Sequence, residues 1–284
     1  MVDPDRRNYG PVTIGLLHPG EMGAMLGGAL RAGGQIVLWA SAGRSAATAN
    51  RAGNAGLEDV GTLREVARRS DVILAVCPPH AAVSVARSLP RSFTGIHVDA
   101  NAVSPTTARL IASHVGRYVD GGIIGPPPHK PGTTRLYLSG AEAPIVADLF
   151  AGTIVDARIV SEEAGAASAV KMAFAAWTKG TAALLLGIRA VARAEGVDQT
   201  LLDEWEISLS HLPEESAAAA RSALTKGWRW VGEMNEIADT FVTVGLPDGF
   251  HRAAAEIYRR TPHGLAEEDR SLDRVLSALL AKKA

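Results

Sequence analysis

The chain lacks most features that advertise a function at once. Its one cysteine in 284 residues, Cys77, rules out an internal disulfide and fits a reducing compartment. Net charge is −1, from 29 basic and 30 acidic residues, so no global field recruits nucleic acid or an anionic membrane. The opening residues, MVDPDRRNYGP, contain no apolar signal core, and no apolar run approaches membrane-spanning length. A soluble cytoplasmic protein without nucleic-acid or membrane partners is therefore expected. No metal-ligand spacing occurs, and no serine or cysteine nucleophile stands in a motif. Repeats and low-complexity tracts are also missing, apart from an alanine bias. What remains is a length comfortable for two domains with sizeable cores.

The most informative stretch is Val12 to Gly23, VTIGLLHPGEMG. Val12, Ile14, Leu16 and Leu17 read as a buried strand, and Ala24 to Ala32 as a helix stopped by Gly33-Gly34. Between them lies the turn His18-Pro19-Gly20-Glu21-Met22-Gly23. A strand, a glycine turn and a helix form the place where a dinucleotide pyrophosphate rests on backbone N–H groups and the helix dipole. In G-x-G-x-x-G terms Gly20 and Gly23 fill the second and third places. His18 fills the first, where glycine normally makes the tight turn, and an ordinary strand-turn-helix stays open.

From there strands and helices alternate. Strands are expected at 36–39, 72–77, 96–99, 118–119, 135–138 and 157–160, and helices near 45–51, 62–69, up to Arg87, and from Ser104-Pro105 onward. The unbroken VILAVC run, Val72 to Cys77, suits a parallel sheet covered on both faces. After Val160 the character changes: Ser161 caps a segment, no proline appears until Pro213, and alanine is dense through Glu195. One helix of roughly nine turns is expected there, with further helices near 199–209, 214–235 and on towards Val244, 249–260 and 271–282. The fold class expected is α/β. A doubly wound Rossmann-type parallel sheet occupies residues 1–160, and an all-helical domain occupies residues 161–284.

Several side chains fall where such a fold binds ligands. The second strand ends near Ser41, where an NAD-preferring domain tends to place an acid for the ribose 2′-hydroxyl. The loop here is Ala40-Ser41-Ala42-Gly43-Arg44-Ser45, with no acid and one arginine. Arg44, Ser41 and Ser45 either hold a 2′-phosphate, which favours NADP(H) over NAD(H), or stand solvated on the surface. Cys77, Pro78 and Pro79 close another strand and are expected to border the cofactor; His80 beside them is a poor choice of acid. Asn101 follows a third strand end and reads either as a contact to the nicotinamide ribose or as an ordinary loop cap. Taken by spacing alone, Lys171 reads as structural or exposed.

The order of these motifs resembles the β-hydroxyacid dehydrogenase superfamily, which includes 3-hydroxyisobutyrate and 6-phosphogluconate dehydrogenases. Gly20-Glu21-Met22-Gly23 matches half of its opening G-L-G-x-M-G, and Asp99 to Pro105 matches its D-x-S/T-x-x-S/T-P element. Its D-A-P-V-S-G-G loop and following G-T-L strand are echoed by Asp120 to Gly125 and by Gly132-Thr133. Gly165 and Lys171 fall on the first glycine and the lysine of G-x-G-x-x-x-K-x-x-N. The resemblance covers nearly the whole chain and implies a long interdomain helix and a catalytic role for Lys171. It also implies hydride exchange between a nicotinamide and a small hydroxy acid, keto or semialdehyde substrate in the interdomain cleft. A homodimer through the helical domain is implied as well.

The departures from the pattern bear on the substrate. Ile124, beside Gly125, stands where the family usually has a substrate-binding serine, and Ala175 where an asparagine accompanies the lysine. Thr178, seven positions after Lys171, shares its face and could supply the missing polar group. Lys179, one further on, either reaches the cleft as well or, as is more usual for a lysine on a helix, stands on the helix surface. Trp205, Trp230, Glu233 and Met234 could line the substrate wall, with core packing the ordinary role for either tryptophan. An imine reductase of the same architecture is the first rival, opposed by Lys171 and kept open by Ala175 and Gly232. A non-catalytic NADP-binding sensor is the second.

Overall fold

The computed structural model describes residues 11–281. The polar opening segment before Pro11, and Lys282 at the expected end of the last helix, lie outside them. The first half runs β1 (Thr13–Leu17), α1 (Glu21–Ala32), β2 (Ile36–Trp39), α2 (Ala46–Asn54), β3 (Glu58–Asp59), α3 (Leu63–Arg69), β4 (Val72–Ala75), α4 (Ala82–Arg87), β5 (Ile96–Asp99), α5 (Pro105–Ala112) and β6 (Arg117–Ile124). There follow β7 (Arg135–Ser139), α6 (Ala143–Leu149) and β8 (Asp156–Ser161). The rest is helical: α7 (Ala166–Ala194), α8 (Asp198–Ser208), α9 (Leu212–Thr243), α10 (Gly249–Arg260) and α11 (Leu272–Leu280).

All eight strands join one sheet in the order β3-β2-β1-β4-β5-β6-β7-β8. Each pairing is parallel except that of β6 with β7. The all-parallel sheet expected from the sequence is thus broken once. The reason is the connection: a parallel crossover needs a dozen or more residues, and only residues 125–134, four of them proline, separate these strands. Every residue of β4 is buried, as its unbroken apolar run requires of a central strand.

Other differences are local. Asp120 to Ile124 continue β6 rather than forming a loop. The long helix starts at Ala166, because Ser161 ends β8 and its hydroxyl accepts from the Glu163 N–H at 2.9 Å. At 29 residues it makes about eight turns rather than nine. The short elements β3 and α6 carry too little periodicity to announce themselves.

The described chain divides into two compact units between Lys171 and Met172, inside α7. In the first unit, Ile14, Leu16, Leu30, Val37, Leu74, Val98, Val119, Leu136 and Leu138 join one apolar core. In the second, Leu186, Ala220, Leu224, Met234, Ile237, Tyr258 and Leu276 are fully buried or nearly so. No described helix is long and apolar enough to cross a membrane.

Candidate active site

Register places the sequence-derived residues of the first unit along one sheet edge. Leu17 aligns with Ala75, Ala75 with Asp99, Asp99 with Asp120, and Asp120 with Ser139. Strands β1, β4 and β5 end on this row, so His18 follows it directly and Cys77 and Asn101 come two residues beyond it. Strand β6 runs four residues beyond it, and the row from β1 to β6 crosses three strand spacings, about 14 Å. The strand order reverses between β1 and β4, the place where doubly wound sheets take their ligands.

The turn after β1 is made without its first glycine. His18 adopts φ +63° and is the only non-glycine residue at positive φ among the described residues. Histidine is among the residues enriched in this left-handed region, and holding it there costs about 1–2 kcal/mol. A 2.6 Å hydrogen bond from the Gly20 N–H to the His18 carbonyl closes the turn. Gly23 must be glycine, because a Cβ there would sit 2.9 Å from that same carbonyl oxygen. Gly20 is the N-cap of α1, and no side chain caps this helix end among the described residues. Its first N–H groups therefore face out at the positive end of the dipole, with Pro19, Glu21 and Met22 around them. Arg51, which no motif flagged, donates from α2 to the Pro19 carbonyl at 3.3 Å.

A cavity of about 220 Å³ opens beside this turn, lined by Leu17, His18, Arg44, Leu63, Ser84 and Ser88, among others. Burial first, and the Arg44 charge second, hold the His18 imidazole down to about 4, so it is neutral at pH 7. Its Nδ1 is buried without a partner among the described residues. Arg44 comes from a tight turn in which its N–H donates to the Ser41 carbonyl at 2.9 Å. Ser45 is occupied differently, as the N-cap of α2, where its hydroxyl accepts from the Thr48 N–H. The loop also has an acid after all, supplied from β3. Asp59 Oδ1 accepts from the N–H groups of Ser41, at 3.2 Å, and Gly61, at 2.8 Å.

Asn101 spends its amide on the protein. Its Oδ1 accepts from the Cys77 N–H at 2.5 Å and its Nδ2 donates to Asp99, so it ties β4 to β5. Burial, then the Asp99 charge, pushes the Cys77 thiol up to about 12, which leaves no thiolate nucleophile. Pro78 leads from Cys77 into the 3₁₀ turn Pro79–Ala81 that opens α4.

Lys171 lies on the second turn of α7, half-buried, against the outer end of β6. Gly122 makes this approach possible, since a Cβ there would lie 2.7 Å from the Ala167 carbonyl oxygen and 3.0 Å from Lys171 Cβ. Ile124, two residues on, is buried, while Gly125 turns the chain at φ +120°. Asp120 is wholly buried. Burial pushes its carboxyl pKa up, while hydrogen bonds from Ser168, Ser139 and Gly165 work in the opposite direction.

In the second unit the sequence-derived residues separate. Thr178 is exposed, with its hydroxyl donating to the Phe174 carbonyl at 3.2 Å. Trp205 and Met234 are buried in the helical core. Trp230 is half-buried, edge-on to Tyr258 with ring centroids 5.1 Å apart. Glu233 is buried and accepts from Lys179 Nζ at 2.6 Å, and that ammonium also lies 5.7 Å from the Trp230 ring centroid. Lys179 is therefore a paired, largely buried lysine and not a surface one. Partners 54 residues apart leave no spacing signal.

Residues 192–261 match a domain family described as a domain of unknown function (DUF1932). An uncharacterized 28.5 kDa protein of Methanothermus fervidus is 30% identical over 166 residues, 58% of this chain and 64% of that protein's length. The chain thus spans less than two thirds of this curated relative. Among solved structures, the conserved protein MTH1747, described as structurally similar to 3-hydroxyacid dehydrogenases, is 27% identical. The match covers 87% of this chain and 98% of that one, at a TM-score of 0.64. The chain has the hydroxyacid dehydrogenase fold. A 3-hydroxyisobutyrate dehydrogenase of Mycobacterium tuberculosis shares this fold at 19% identity and a TM-score of 0.65, over 95% of this chain and 100% of its own. So does a reductive aminase of Aspergillus terreus solved with NADPH and ethyl levulinate, at 20% identity and 0.55, over 95% and 98%. Hydroxyacid dehydrogenases and imine-reducing enzymes are therefore both represented among the proteins that share this fold.

Proposed function

We propose that the protein is an NADP(H)-dependent oxidoreductase that exchanges hydride with a small hydroxy acid, keto acid or semialdehyde. One observation carries this reading: the open N-terminus of α1 and the lysine of α7 stand on the same sheet edge. The residues present fit a dinucleotide. Gly23 lets the helix pack against the turn, the first N–H groups of α1 suit a pyrophosphate, and the cavity beside them holds one arginine. A bound nicotinamide supplies or accepts the hydride. The chain's own contribution is to orient it and to move a proton. As a carbonyl is reduced, negative charge develops on its oxygen; the Lys171 ammonium stabilises that oxygen and gives it a proton, and the neutral amine takes one back in the reverse direction.

Arg44 and the hydroxyl of Ser41 support NADP(H) through a charge-assisted contact to the 2′-phosphate. Reduction of C=N is the second reading, favoured by the buried Ala175 where the resemblance expects asparagine. The single cysteine supports a cytoplasmic setting. A homodimer through the second unit is part of the proposal. It is supported by exposed Phe174, Trp177, Leu184, Val191 and Trp228, and by an apolar groove of about 590 Å³ between α7, α8 and α10. Sedimentation at micromolar concentration showing only a species of the chain's own 29.7 kDa would end it.

The decisive experiment follows NADPH oxidation against β-keto acids, semialdehydes and cyclic imines, with NADP⁺ and hydroxy acids as the reverse panel. Lys171→Met should cut turnover by about 10²–10⁴ with NADPH binding unchanged, and arginine should not rescue it. A variant keeping more than about a tenth of its turnover would contradict the role of Lys171. Tight NADPH binding with no turnover across the panel would point to a sensor.

A further inference from the structure

The buried Asp120 has no part in that chemistry, yet both of its carboxylate oxygens are hydrogen-bonded. Its Oδ2 accepts from the Ser168 N–H at 2.8 Å and from the Ser139 hydroxyl at 3.0 Å, and its Oδ1 accepts from the Ser168 hydroxyl at 2.6 Å. Ser139 in turn accepts from the Ala167 N–H at 3.0 Å. A carboxylate taken wholly out of water is costly unless its lone pairs are filled, and here the first turn of α7 fills them.

We propose that Asp120, with Ser139 and Ser168, is a positioning device for Lys171, an inference that rests on the function proposed above. Three degrees of freedom of the helix are fixed at once. Bonds to the N–H groups of Ala167 and Ser168 set its position along its axis. The Ser168 hydroxyl, drawn onto Oδ1, sets its rotation; Lys171 is three residues further on and shares that face. Gly122 sets its distance, because any side chain there would push Ala167 and Lys171 outward. The lysine stem is thus held at one place beyond the sheet edge. A displacement of about 1 Å at a reacting group can cost a hundredfold in rate, which is what such a device prevents. Asp120 touches no reacting atom; it acts through α7.

The test uses the full chain with its lysines reductively ¹³C-methylated and the Lys171 signal assigned by Lys171→Arg. Asp120→Asn removes one acceptor with little change of shape, and Ser168→Ala removes the hydroxyl while keeping the backbone bond. Both should move the Lys171 signal and its titration midpoint while the other lysine signals stay put. Turnover should fall about 10- to 100-fold with NADPH affinity unchanged. Ser168→Ala carries the test should Asp120→Asn not fold. An unmoved Lys171 signal with unchanged kcat, whatever the loss in Tm, would show that Asp120 only caps the helix and would overturn the inference. Lys171→Met run in parallel separates the two ideas. If it keeps its turnover the catalytic role proposed for Lys171 fails, whereas a dead Lys171→Met beside a fully active Asp120→Asn defeats only the positioning role.

Discussion

Two helices begin at the same sheet edge, and their ends are built in opposite ways. Helix α1 opens on Gly20 with no side-chain cap among the described residues, and its N–H groups are left for something else. Helix α7 opens on Asp120 and Ser139, which take the N–H groups of Ser168 and Ala167. The same dipole is present at both. The open end suits a ligand that arrives and leaves, and the closed end suits a side chain that must stay where it is.

The largest effect should come from closing the open end. Gly20 has φ −69°, and a Cβ there would have its nearest neighbour at 3.9 Å, so Gly20→Asp fits without strain. The new carboxylate should cap α1 and raise stability by only about a few tenths of a kcal/mol, because glycine is already a tolerable N-cap. It should also repel a pyrophosphate and weaken NADPH about a hundredfold or more. Calorimetry and a melting curve measure both; an affinity left intact would show that α1 is not the anion site.

A smaller effect should sharpen what the open end binds. Arg44→Ala removes one charge-assisted contact, worth about 1.5–3 kcal/mol. NADPH should weaken about ten- to a hundredfold while NADH hardly changes. Equal losses for both would remove Arg44 from the phosphate site and return attention to Asp59.

The smallest effect concerns how the open end is made. His18→Gly releases about 1–2 kcal/mol of left-handed strain and gives back about 0.5–1 through the looser unfolded chain. Stability at pH 7 should therefore rise by between about 0 and 1.5 kcal/mol. The pH dependence is more telling. Since the folded His18 pKa is depressed, the unfolded chain takes up a proton below about 6.5 that the folded chain refuses until about 4. Stability is lost across that window as pH falls, and His18→Gly should flatten the loss. Melting curves at pH 7 and pH 5 that run parallel in the two proteins would contradict this.

Much of the open end is legible in the sequence, because a strand, a turn and a helix are neighbours along the chain. Even there, glycine spacing counts His18 as a weakness, whereas the His18 backbone itself adopts φ +63° and the turn closes. The closed end is nearly illegible. Asp120 and Ser168 are 48 residues apart, and Ser139 lies between them on an antiparallel strand. The approach of Asp59 to Ser41, of Arg51 to Pro19 and of Lys179 to Glu233 is illegible for the same reason. Periodicity reports how a segment meets the core, not which distant side chain meets it.

The reach of Asp120 also has a consequence in time. Its partners lie 19 and 48 residues further along the chain, so the carboxylate gains nothing until β7 has paired and α7 has docked. Closing contacts over such separations costs loop entropy before it is rewarded, and we expect these to form late on the folding path. Weakening them should leave the refolding rate nearly untouched and appear in the unfolding arm of a chevron. The residue that holds the lysine in place is then also one that sets how long the folded protein lasts.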